Sequence, residues 1–173
     1  MKKTSAIALT TLGLLAASSA MAATDGSYDT TSTGTTDVSL TVVDATRITG
    51  LDDIDLGTYA ATDTDGVDAS DTFCVHVNGG DAYNITATYG PLASPTTSDT
   101  IAVQVSLIDN AAGTGAEDVN TGGVSSNYTG AALIDCGGSD NAYINVEVED
   151  ADIRAATTAS DYATTVSLLV SPQ

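Results

Sequence analysis

The chain has no tryptophan, one phenylalanine, three prolines, two cysteines and one histidine in 173 residues. Basic residues are nearly missing as well: Lys and Arg total 4 against 23 Asp and Glu, for a formal net charge of -19. A surface so short of cations repels nucleic acid and anionic lipid, since its long-range field is negative throughout. The lone His76 leaves little room for histidine-dependent catalysis. No Gly-x-Ser-x-Gly elbow, GxxxxGK[ST] loop or GxGxxG fingerprint occurs, so nucleophile-elbow and phosphate-loop chemistry lack their signatures. The scarcity of Leu, Glu, Lys and Arg also argues against a helix bundle. Hydrophobic residues make up 42% and mean hydropathy is +0.11, too apolar for a wholly disordered chain. Sixteen glycines and abundant Thr suit short strands joined by turns.

The start has the pattern of a secretory leader. Lys2 and Lys3 precede a small and apolar run from Ala6 to Ala17, and Ala20-Met21-Ala22 supplies a small-x-small cleavage site. Residues 1–22 are therefore expected to be a signal peptide of bacterial type. The run is shorter than the ~20 residues a membrane-spanning helix needs, and no span is expected in the mature chain. Export places the protein in an oxidising compartment, where an even cysteine count favours a Cys74–Cys136 disulfide. The rivals are a reactive thiol and a two-cysteine metal site joined by His76, although the ligand spacing usual for zinc is absent.

Ala23 to Thr36 is polar and lacks an apolar period, and reads as a flexible tail. Asp37 to Val42 then alternates strictly, with Val38, Leu40 and Val42 on one face of an extended segment. One or two short strands are expected within Ile48–Tyr59, followed by an acidic loop from Ala60 to Asp71. Thr72–Val77 and Ala82–Tyr89 flank Asn78-Gly79-Gly80-Asp81, the strongest hairpin signal in the chain. Strands are also expected over Ile101–Ile108, Ala131–Cys136 and Tyr143–Val148, with a long connection from Asn110 to Tyr128. Asp150–Ser160 reads as a loop with room for a helical turn. Tyr162, Thr164, Val166, Leu168 and Val170 stay in phase near the end. Seven or eight strands at such spacing predict an all-β, immunoglobulin-like antiparallel sandwich.

The acids offer weak calcium candidates. Asp63-Thr64-Asp65-Gly66 resembles the middle of an EF-hand loop, but its first and last ligand positions would fall on Ala61 and Thr72. Asp63, Asp65 and Asp68, or Asp52, Asp53 and Asp55, could serve another geometry, though a solvated acidic surface is the simpler reading. No cofactor is expected, and no enzymatic activity. Asp outnumbers Glu, and processing would leave Arg47 and Arg154 as the only basic residues, a balance suited to brine, where salt screens self-repulsion.

Four segments together resemble a known family. They are Thr35 to Val42, then Ile54-Asp55-Leu56-Gly57, then the cysteine segment Phe73 to Ala87, and finally Ser160 to Val170, with its Ser-Asp-Tyr-x-x-x-Val spacing. Their order is similar to that of the major pilins of chaperone–usher fimbriae, in particular the archaic class with spore coat U-like domains. Such pilins often carry a cysteine in the first domain strand; Ala45 to Ile48 has none, so Cys136 is the partner left for Cys74. The resemblance implies an incomplete sandwich at residues 46–173, completed by an amino-terminal extension at residues 23–45 of a neighbouring subunit. Val38, Leu40 and Val42 would fill the groove. Tyr162, Val166, Leu168 and Val170 would line it. The implied partners are identical subunits, a periplasmic chaperone and an outer-membrane usher, and the implied location is the cell surface, in adhesion and biofilm. The alternative is an exported calcium- or carbohydrate-binding β-sandwich module.

Overall fold

The computed structural model describes residues 23–159 and 162–173; the leader expected at 1–22, and Ser160 and Asp161, lie outside the described residues. Two compact units are distinguished, one ending at Val42 and one spanning Val43–Gln173.

In the first unit the expected tail closes on itself. Thr24 N–H donates to the Thr35 carbonyl and Thr35 N–H to the Thr24 carbonyl, each at 3.0 Å. Two such bonds hold a ring of polar residues that no apolar period announces. The following Asp37–Val42 run belongs to no ladder, and its apolar side chains are exposed.

The second unit is an all-β sandwich. Its strands are β1 (Thr46–Thr49), β2 (Val67–Val77), β3 (Ala82–Thr88), β4 (Leu92–Ala93), β5 (Thr100–Ile101), β6 (Gln104–Ile108), β7 (Glu117–Asp118), β8 (Val124–Thr129), β9 (Ala142–Val148) and β10 (Ser167–Pro172). One short helix, α1 (Asp150–Ala155), follows β9. A five-stranded sheet has the order β1-β2-β9-β6-β7, a three-stranded sheet the order β10-β3-β8, and β4 and β5 pair separately. Every strand pair is antiparallel. No helix among the described residues is long and apolar enough to cross a membrane.

Alternation explains the layering. Phe73, Val75 and Val77 of β2, Val105 and Leu107 of β6, and Ile144 and Val146 of β9 point inward from the larger sheet. Tyr83, Ile85 and Ala87 of β3 and Tyr128 of β8 meet them from the smaller one. The rings of Tyr83 and Tyr128 pack edge-on with centroids 5.6 Å apart, and the Tyr128 hydroxyl reaches across to the Leu107 carbonyl at 3.1 Å. Tyr83 is fully buried, and its hydroxyl has no hydrogen-bond partner among the described residues. Burial, with Asp109 next in effect, raises its pKa well above the ordinary tyrosine value. Tyr83→Phe is therefore expected to stabilise the domain by about 1 kcal/mol, read as a higher urea midpoint, because an uncompensated buried hydroxyl is removed.

Several expected elements are corrected. Asn78–Asp81 makes no hairpin: β2 and β3 lie in different sheets. Both edges of β2 are taken by β1 and β9, and both edges of β3 by β10 and β8. Gly79 and Gly80 have φ of 86° and 73°, a left-handed pair that carries the chain across the sandwich instead of back along β2. The inward faces of the two strands then oppose one another, which the same alternation permits. Within the expected acidic loop, Val67–Asp71 is the start of β2, its outer Asp68 and Ser70 set opposite Glu147 and Asn145 of β9. The expected strand at Ala131–Cys136 is a turn. Only Ala131 bridges to His76, after which Leu133 and Ile134 are exposed and Cys136 takes a φ of 52° to reach Cys74. The long connection from Asn110 contains β7 and β8. A register shift opposite Tyr83–Ile85 and a left-handed Asn127 (φ 65°) hide β8 from a search for alternation.

Candidate functional site

The second unit has an open side. After β1, residues 50–59 belong to no ladder; opposite them, residues 162–166 precede β10, and only Ala163 is bridged, to Ala93. Ladder partners therefore end on both walls while the sandwich continues between them. The space is a cleft of about 1120 Å³. Leu51, Ile54 and Leu56 line one wall, and Tyr162, Val166 and Leu168 the other. Ile144, Val146 and Val148 of β9 and Ile101 form the floor.

Local sequence explains each wall. In Ile54-Asp55-Leu56 the apolar residues are half-buried and packed on the core while Asp55 is exposed. The Asp55 carboxylate accepts from Gly57 N–H at 2.8 Å and turns the chain there. On the other wall Tyr162, Thr164, Val166, Leu168 and Val170 are half-buried in alternation with exposed neighbours. The Thr164 hydroxyl donates to the Gly90 carbonyl at 3.0 Å, and the Tyr162 hydroxyl to the Thr157 carbonyl at 2.9 Å.

Side chains clamp one end of the cleft. Arg154 of α1 donates from Nε to the Asp150 carboxylate at 2.8 Å, and its guanidinium lies 5.6 Å from the centre of the Tyr59 ring. The Tyr59 hydroxyl donates to Asp150, and Arg154 also donates to the Asp63 carbonyl. The Tyr59 hydrogen bond, with Arg154 adding to it, holds the Asp150 carboxyl below its ordinary range. Asp99 is lowered similarly by the Thr157 hydroxyl and N–H. A lowered carboxylate pKa favours the fold at neutral pH, and the gain is lost as pH falls through the folded-state value.

The sequence-derived residues are placed as follows. Tyr162, Val166 and Leu168 line the cleft; Val170 lies farther along β10, opposite Ile85 of β3 and packed on the core. Val38, Leu40 and Val42, in the first unit, are 91%, 87% and 71% exposed. Cys74 and Cys136 form a disulfide, with Cα atoms 5.9 Å apart. His76 is half-buried, its Nδ1 at 2.8 Å from the Ala131 carbonyl. The calcium candidates are dispersed: the Asp63 carboxylate accepts from Ala60 N–H at 2.7 Å, and Asp68 sits on the outer face of β2. Among the described residues no three His, Cys, Asp or Glu side chains gather where they could hold a metal ion. Sequence reasoning missed Leu51, Ile54 and Leu56 as a wall; their signal was the short alternation before Gly57. Comparison with protein-family models, with curated proteins and with solved structures gives no match to this chain.

Proposed function

We propose that the protein is the structural subunit of an extracellular filament, and that each subunit lends its leading segment to the cleft of the next. The observation that supports this reading is the cleft, a largely apolar trough about 1120 Å³ in volume between residues 50–59, which belong to no ladder, and residues 162–166, of which only Ala163 is bridged. Such a trough exposes apolar side chains and sheet edge that lacks a ladder partner, both unfavourable in water. An extended segment with apolar residues at every second position satisfies both needs, by strand addition. Asp37–Val42 has that pattern and leaves Val38, Leu40 and Val42 exposed. Donation from head to tail does not close on itself and yields a fibre. In this reading the leader directs export, a periplasmic chaperone covers the trough until an outer-membrane usher exchanges it for a subunit, and the fibre serves adhesion and biofilm. The role has no catalytic step and needs no metal.

Unheated protein recovered from the cell surface should run on SDS gels as a ladder that collapses to one band on boiling. Deleting Ala23 to Val43 should abolish the ladder and yield a soluble monomer only with a trough-covering chaperone. A single unheated band from the full chain, with calorimetric heat on calcium titration, would instead support the binding-module alternative.

A further inference from the structure

We infer that ionic strength gates the insertion of the leading segment into the cleft, an inference that rests on the donor-strand reading above. The segment from Ala23 to Ala45 carries Asp25, Asp29, Asp37 and Asp44 and no basic residue. Asp37 and Asp44 bracket its apolar face. The cleft wall that would receive it carries Asp52, Asp53 and Asp55, all exposed and interleaved with the apolar residues. Among the described residues the one cation lining the cleft, Arg154, is already engaged by Asp150. Docking therefore brings carboxylates against carboxylates along one wall, with no free opposite charge there to offset them. The apolar residues favour insertion and the flanking charges oppose it.

Screening decides between the two. The Debye length is ~10 Å at 0.1 M salt and ~3 Å at 1 M. At 0.1 M charges on neighbouring extended segments, about 5 Å apart, keep about 60% of their repulsion; at 1 M they keep about 20%. Burial of apolar side chains is not weakened by sodium chloride. Assembly is thus disfavoured in dilute medium and released in brine, which separates secretion of the subunit from its polymerisation by external salinity.

The test uses the mature full-length protein, dissociated and returned to sodium chloride over the range in which circular dichroism shows a folded domain. Light scattering and the unheated ladder follow assembly. Raising salt from about 0.1 to 2 M is expected to accelerate assembly at least ~10-fold, with potassium chloride acting alike. Asp52→Asn/Asp53→Asn/Asp55→Asn is expected to cut that response to ~3-fold or less by assembling faster at low salt. Asp37→Asn/Asp44→Asn, in the exposed segment, should do the same, and it keeps the test open if the wall variant misfolds. An unchanged salt response in the neutralised variants would overturn the gate, as would a requirement for one particular cation or equal rates at both salt levels. A ladder that forms regardless of salt leaves the donor-strand reading standing; no ladder at any salt overturns that reading too.

Discussion

Leu40→Asp will leave the domain folded and abolish the unheated ladder. Leu40 is 87% exposed and is not a member of the buried core cluster. In the proposed assembly its partners come only when the segment enters a neighbour. Burying Val38, Leu40 and Val42 contributes roughly 5–8 kcal/mol before main-chain hydrogen bonds form. A charged carboxylate at the central position both forfeits its share and adds a desolvation cost. Circular dichroism of the variant should give the melting midpoint of dissociated wild-type subunits while electron microscopy finds no filaments. Leu40→Met, similar in volume, should keep the ladder. Filaments in the Leu40→Asp variant at wild-type yield would remove the segment from any role in assembly.

The second large effect is expected at the disulfide. Cys74 and Cys136 are separated by 62 positions, and opening that loop restores about 4 kcal/mol of conformational freedom to the unfolded chain in the entropy model. Cys74→Ala/Cys136→Ala should therefore lose about 4 kcal/mol in urea titration, a large share of the stability of a domain this size. Cys74 sits on β2 directly opposite Thr49 of β1, so the bridge pins the 131–139 turn beside the first strand. Asn141 reinforces the same place, its side chain accepting from Val75 N–H at 2.8 Å and donating to the Val75 carbonyl at 3.1 Å. If the double variant melts where wild type does, the loop is already constrained by such contacts and the bridge adds little.

The readable parts of this fold were those where burial on one face forces a period of two. Phe73-Val75-Val77, Tyr83-Ile85-Ala87, Val105-Leu107 and Ile144-Val146-Val148 all announce their inward faces, and each lies in a strand with that face buried. Pairing partners were not readable, because alternation reports a face and not a neighbour. That is why Asn78–Asp81 resembled a hairpin although it crosses between sheets. Val67–Asp71 was obscured by its aspartates, Asp68 on the solvated face and the half-buried Asp71 in phase with Phe73 and opposite Ile144, and β8 by its bulge. Half of the cleft was legible in the phased residues before and within β10. The other half stayed hidden because residues 50–59 have no ladder to impose a long repeat. The disulfide was anticipated from cysteine count and the export that the leader pattern led us to expect, whereas the hydrogen bonds of Asn141, a single polar residue, leave no pattern to detect.

The order of strands in the larger sheet has a kinetic consequence. β2 is an early segment, yet its second neighbour is β9, so Val67 must wait for Val148 and Phe73 for Ala142. β3 likewise waits for β10, with Ala87 set against Leu168. Closing such distant pairs costs loop entropy before any contact repays it, and non-local β topologies are slow for that reason. During synthesis the chain therefore cannot consolidate progressively from its leading end. The nascent molecule carries an open β2 edge until its last third arrives, and for that interval its safety from clumping depends on the mutual repulsion of its aspartates.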